Sequence, residues 1–197
     1  KLGLPSSSLL YLCPQNIIKY HPDIDMIFAA ILRENLSAKI IIICGIVKDW
    51  TNQLNERWLE TMPDVTDRII VLPRQSPEDF ISLQSVVDII LDTPYFSGGN
   101  TSFESFALGK PIVTLESTLM RGRVTAGMYR AMGIHECIAH SIEQYIEIAI
   151  KLGNSLEYRE AIKEEILESN HILFENMEVI KEFEKFFISA FKKVSSV

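Results

Sequence analysis

The sequence predicts an α/β fold, a Rossmann-like open parallel sheet with helices on both faces, and three observations carry this. Five short apolar runs rich in Ile, Val and Leu recur along the chain, with segments of helical character between them. The second run, Lys39-Ile40-Ile41-Ile42-Ile43-Cys44, is apolar without alternation, which suits a strand covered on both faces. Hydrophobic residues make up 47% of the 197 residues, enough for a substantial core and too many for a disordered chain.

Residues 9–13 form the first strand and are followed by Pro14. Residues 22–34 place Ile24, Phe28, Ile31 and Leu32 at helical spacing. The run over 39–44 is the second strand, stopped by Gly45; residues 50–61 read as helix and 68–72 as the third strand. Ser76-Pro77-Glu78-Asp79 then starts a helix, with a capping serine, a proline in the first turn and two acids facing the positive helix end. Residues 87–92 are the fourth strand. A helix over about 100–108 ends at Gly109, with Pro111 just beyond, and residues 111–115 are the fifth strand. Ser141-Ile142-Glu143-Gln144 has the capping-box pattern and opens a helix that stops near Gly153. Helices over 155–168 and 174–193 follow, the last with Ile180, Phe183, Phe186 and Phe187 near one side. There is no internal repeat. Residues 1–197 are expected to form one domain, with the C-terminal helices packed outside the sheet.

A formal net charge of -7 argues against a nucleic-acid binder, though not against one local basic pocket. Cys13, Cys44 and Cys137 are odd in number and widely spaced. They read as reduced core thiols of a cytoplasmic protein, without zinc-site spacing. No apolar run approaches the ~20 residues of a membrane span, and no charged-then-apolar leader is present. The chain opens at Lys1 on an interior-looking sequence and is expected to be a piece of a longer protein.

In such sheets ligands bind beyond the carboxyl ends of the strands. The segment after the fourth strand, from Asp92 through Gly98-Gly99-Asn100-Thr101-Ser102-Phe103-Glu104-Ser105, runs strand, glycine turn, hydroxyl and amide side chains, helix. Gly98 and Gly99 let backbone approach a ligand, and the helix start offers unpaired N–H groups and positive partial charge to a pyrophosphate. Thr101 and Ser102 add hydroxyls, and Glu104 is placed to take two ribose hydroxyls. The same segment is also readable as an ordinary glycine turn and helix cap. After the first strand, Gln15 and Lys19 occupy the same kind of strand end, where Lys19 is either a diphosphate cation or an exposed surface lysine. Arg121-Gly122-Arg123, after the fifth strand, offers two cations to phosphate or to a partner, or simply two solvated charges. Phe80 is a flat face for a base, or core. His21, His135, His140 and His171 have no metal or triad spacing.

Taken together, these stretches resemble the C-terminal catalytic half of the O-GlcNAc transferase and SPINDLY-like family. The resemblance rests on Tyr11-Leu12-Cys13-Pro14-Gln15 through Lys19 and His21-Pro22-Asp23, on Asp67-Arg68-Ile69 through Leu72-Pro73-Arg74, and on Leu91-Asp92-Thr93-Pro94. It continues through Gly98-Gly99-Asn100-Thr101-Ser102-Phe103-Glu104-Ser105, Gly109-Lys110-Pro111-Ile112-Val113-Thr114 and Met120-Arg121-Gly122-Arg123-Val124. It implies the C-terminal half of a GT-B glycosyltransferase, in which two Rossmann-like halves face each other and this half holds a UDP-sugar donor. Gln15 and Lys19 would meet the diphosphate, Asn100 and Thr101 would bind phosphate at the helix start, and Glu104 would hold the ribose. Phe80 falls where animal members stack a histidine on uracil; Gly99 likewise replaces a histidine and Glu104 an aspartate, which leaves UDP-N-acetylglucosamine, another UDP-hexose or GDP-fucose as donors.

The resemblance further implies metal-independent, inverting transfer of a sugar to Ser or Thr of a protein acceptor. That acceptor would be engaged through an N-terminal domain and tetratricopeptide (TPR) repeats absent from this sequence. The fragment alone is then expected to bind donor without efficient transfer, its exposed apolar cleft face to be covered by self-association, and its last helix to lack its usual partner across the domain gap. Three other readings stay open: a UDP-sugar 2-epimerase-type isomerase, a non-catalytic sugar-nucleotide module, and an NAD-dependent dehydrogenase.

Overall fold

Strand and helix alternate along the chain in the computed structural model, which describes residues 3–5 and 7–195. The strands are β1 (Leu10–Cys13), β2 (Lys39–Ile43), β3 (Ile69–Leu72), β4 (Ile89–Leu91), β5 (Ile112–Leu115) and β6 (Ile138–Ala139). The helices are α1 (Asp23–Glu34), α2 (Lys48–Thr61), α3 (Pro77–Val86), α4 (Asn100–Ala107), α5 (Val124–Met132), α6 (Ile142–Asn154), α7 (Leu156–Ser169) and α8 (Met177–Ser195). The strands form one parallel sheet in the order β3-β2-β1-β4-β5-β6. Chain order reverses between β1 and β4, so the loops leaving these two strands lie side by side. This is the crevice where open α/β sheets bind ligands.

Successive strand residues point to opposite faces. Tyr11, Leu12 and Cys13 are nevertheless all fully buried, as are Ile40, Ile41 and Ile42, so helices cover both sides of the sheet centre. One group packs through Tyr20, Phe28 and Trp58, whose rings lie 6.0 to 6.5 Å apart. The buried carboxylate of Asp25 ties this group together. It takes two hydrogen bonds from Arg57 (2.7 and 2.9 Å) and one from the Trp58 indole (2.8 Å). Arg57 also reaches the Tyr20 carbonyl, and the Tyr20 hydroxyl donates to the Cys13 carbonyl (2.9 Å). The turn after β1 is therefore held from α2 below and from its own strand. Elsewhere, Phe106 of α4 meets Tyr129 of α5 edge to face at 4.7 Å.

The structure departs from expectation at four points. Helix α5 and strand β6 were not foreseen. Of the last helices, α6 and α7 pack on the domain, whereas from Met177 to Val194 every residue of α8 except Ala190 is exposed. At the start of α6, Ser141 Oγ accepts the Gln144 N–H (3.2 Å), but Gln144 Oε1 takes the N–H of His140 rather than that of Ser141, one residue short of a closed capping box. Cys13 and Cys137 are buried thiols; Cys44, just past the end of β2, is only half-buried and lines a cleft. No helix among the described residues is long and apolar enough to cross a membrane.

Candidate functional site

The turn Ile17–Lys19 leaves β1 and the N-terminus of α4 follows β4, so the switch in strand order brings them together. A chain of hydrogen bonds joins them. The Lys19 ammonium donates to Gln15 Oε1 (2.8 Å) and to the Ser97 carbonyl (3.2 Å), and Gln15 Nε2 donates to the Thr101 hydroxyl (2.8 Å). The Phe96 ring lies 4.4 Å from the ammonium, in cation–π range. Burial pulls Lys19 below the ordinary lysine value, while the Asp92 carboxylate favours its charged form.

The backbone turns sharply at Gly98. A side chain there would come within 2.8 Å of Gln15 Nε2 and Thr101 Oγ1, and closer still to Ser102 Oγ; at Gly99 it would meet nothing within 4 Å. Gly98 is thus required by close packing, while Gly99 faces open space. Helix α4 begins at the exposed Asn100 without a side-chain cap. Among the described residues no acceptor faces the Asn100 and Thr101 N–H groups, because the first bonds to the Gly99 carbonyl come from Ser102 and Phe103. A cation and an uncapped helix tip therefore converge on one small volume, an arrangement suited to a diphosphate.

The remaining candidates are placed differently. Ser102 is buried, with its hydroxyl 2.8 Å from that of Thr125, so it braces α4 against α5 rather than facing a ligand. Glu104 is half-buried, 3.4 Å from Gln84 Nε2, one turn into α4. Phe80, on α3, lines a cleft of about 220 Å³ with Gln15, Cys44, Gly45, Arg74 and Gln75. Gln15 thus connects that cleft to the Lys19–Thr101 chain. Arg121 and Arg123 are exposed and stand outside the chain. What Arg121 contributes is its carbonyl, which accepts from Ser97 N–H (2.8 Å) and from Ser97 Oγ (3.1 Å). His21 stands against Tyr95, with ring centres 4.8 Å apart.

The residue that sequence reasoning passed over is Asp92. Its fully buried carboxylate accepts the N–H of Thr93 (3.0 Å) and of Gly98 (2.7 Å) and the Thr114 hydroxyl (2.9 Å). Burial lifts this carboxyl to about 6, against the pull of the Thr125 and Thr114 hydroxyls, the Gly98 N–H and Lys19. The signal was an acid closing an apolar strand ahead of the glycine turn. Among the described residues no group of three or more His, Cys, Asp or Glu is placed to hold a metal ion.

The family profile described as glycosyl transferase family 41 matches residues 1–182. The chain is 26% identical over 187 residues, 93% of its length, to the probable UDP-N-acetylglucosamine–peptide N-acetylglucosaminyltransferase SEC of Arabidopsis thaliana. It is 27% identical over 143 residues, 72% of its length, to the SPINDLY protein of Solanum lycopersicum, of the same description. It spans 19% and 15% of those two proteins. Among solved structures, a mutant of the Thermobaculum terrenum O-GlcNAc transferase superposes with a TM-score of 0.82 at 24% identity, over 94% of this chain and 36% of that one. Anabaena HepE in complex with UDP-glucose superposes with a TM-score of 0.62 at 12% identity, over 97% of this chain and 50% of that one. The fold is that of a GT-B glycosyltransferase half.

Proposed function

Because the chain belongs to glycosyl transferase family 41, we propose that residues 1–197 are the donor-binding half of an inverting transferase that moves N-acetylglucosamine from its UDP donor to Ser or Thr of cytoplasmic proteins. The observation that carries this reading is the hydrogen-bonded chain from Lys19 through Gln15 to Thr101 at the uncapped tip of α4. The donor's diphosphate lies over that tip, its ribose reaches toward Glu104, and its base enters the cleft beside Phe80.

Breaking the bond from the anomeric carbon to the diphosphate leaves negative charge on the departing oxygens and an oxocarbenium-like sugar. A fixed ammonium and preoriented N–H dipoles favour that departure because they need no reorganisation as the charge grows. In this reading Lys19 and the α4 tip carry the load, without a metal ion. The acceptor hydroxyl approaches from the opposite face of the sugar, along a path shaped by polypeptide outside residues 1–197. This chain by itself then binds donor, transfers inefficiently and self-associates.

Titration calorimetry with UDP, GDP, ADP and NAD tests the reading. UDP is expected to bind tightest, and Lys19→Ala to weaken it at least ~tenfold, about 1.4 kcal/mol, with the fold intact by circular dichroism. Preference for NAD, or unchanged UDP affinity in Lys19→Ala, overturns it.

A further inference from the structure

Asp92 sits directly beneath the proposed anion site and takes no part in the chain just described. Its carboxylate binds the N–H groups at the two ends of the 93–98 loop, those of Thr93 and Gly98. The Thr114 hydroxyl on β5 donates to the same carboxylate, and the Tyr145 hydroxyl on α6 donates to the Asp92 carbonyl (2.8 Å). The loop so closed carries the Ser97 carbonyl that holds Lys19 and the Gly98 backbone against which Gln15 and Thr101 pack. One buried carboxylate therefore keys both the cation and the helix tip.

We propose that Asp92 is a positioning residue of the donor site, which holds Lys19 and the α4 tip in register and takes up a proton from solvent when the diphosphate binds above it. This inference rests on the donor-site reading. An ionised carboxylate under a bound diphosphate is a like-charge pair in a poorly solvated place, which favours the neutral acid. The neutral acid keeps an oxygen for the Gly98 and Thr93 N–H groups and turns its O–H toward Thr114, so the loop survives protonation.

The ionisable groups facing Asp92 are Lys19 in the turn after β1, Cys13 at the end of β1, Tyr129 on α5 and Tyr145 on α6. Burial pushes the Cys13 thiol up to about 12 and holds both phenols well above their ordinary value. Lys19 is therefore the one charged neighbour in this set. The Asp92 carboxyl already stands at about 6, within reach of a further rise near neutrality.

The test is UDP-N-acetylglucosamine binding, measured by calorimetry in buffers of different ionisation enthalpy. Its diphosphate is a diester with no group titrating in the range of interest. The unsubstituted chain is expected to bind about fivefold more tightly near pH 5 than near pH 8, with net proton uptake on binding near neutral pH; one unit charge about 8 Å away in a half-wet cleft gives this factor. Asp92→Asn keeps an acceptor for both N–H groups and offers its amide to Thr114, so the pH slope and the proton uptake disappear. Asp92→Ala leaves both N–H groups unmet and loses at least ~tenfold in affinity at every pH. His21→Gln, which removes the nearby imidazole, retains the slope. An unchanged slope in Asp92→Asn overturns the inference while leaving the donor reading intact. Failure of the unsubstituted chain to bind at any pH overturns that reading itself.

Discussion

At the scale of single residues, Gly98 and Gly99 are adjacent and chemically identical, yet the structure asks different things of them. A methyl group at Gly98 collides with Gln15, Thr101 and Ser102, whereas at Gly99 it enters open space. Gly98→Ala is therefore expected to part Gln15 from Thr101 and to weaken UDP binding at least ~tenfold, with Gly99→Ala much less affected. Calorimetry on the pair checks this, and equal effects would show that the glycine turn does not shape the site. Asp92 supports a separate prediction about stability. Its carboxyl stands at about 6 in the folded chain against an ordinary 3.8, so between those values the folded state holds a proton that the unfolded state has released. Stability from this group is greatest below the lower value, falls as pH rises through the interval, and stays reduced above it. Asp92→Asn removes that penalty and should stabilise the domain near pH 8 by up to about 3 kcal/mol, with little gain near pH 4. Urea melts at the two pH values measure the difference; a variant less stable than the parent near pH 8 would show that the ionised carboxylate itself stabilises the loop.

At the scale of elements, five strands were legible because runs such as Lys39–Ile43 are apolar on both faces, a pattern that local sequence carries. Strand β6 has two residues, too few to make a run, and was missed. Helix α5 was missed because its buried face passes through Thr125, Met128, Tyr129 and Met132, with Gly127 and Arg130 diluting the periodicity. Gln15, Lys19 and Thr101 were legible as strand-end residues, but the order β3-β2-β1-β4 is not written in local periodicity. That order is what makes the loops after β1 and β4 neighbours. Asp92 stayed hidden because an acid that closes an apolar run looks like a strand terminator until the loop folds back onto it. The contribution of α6 was equally invisible: Tyr145 reaches the Asp92 carbonyl, and the Ala149 carbonyl receives the Tyr11 hydroxyl (2.9 Å). Tyr145→Phe leaves a buried carbonyl without its donor and is expected to cost about 1–3 kcal/mol in a urea melt. A neutral result would mean that α6 positions β4 through packing alone.

At the scale of the whole molecule, the one long element that does not serve the sheet is α8. Phe183 and Phe187 stack at 6.2 Å, and Ile180, Phe186, Ile188 and Phe191 are each close to half exposed or more. Ion pairs Glu178–Lys181 and Glu182–Lys185, both 2.6 Å, run along the same helix. An apolar stripe of this extent is unusual on a soluble monomer and marks an interaction surface. In the isolated chain the surface available to cover it is a second copy, so residues 1–197 are expected to self-associate. Burial of apolar area would drive that association, so it should persist at high salt, where surface ion pairs are screened. Ending the chain at residue 176 tests both halves of the argument. The melting temperature should change by no more than about 2 °C, because removing a helix that buries little of its surface removes little stability. Sedimentation velocity should show a concentration-dependent species for the full chain and a monomer for the shortened one. A large drop in melting temperature would place α8 in the domain's own core, and unchanged sedimentation would move the contact to another face. The expected pair of results separates the fold, which the sheet and α1 to α7 supply, from the contact that α8 makes.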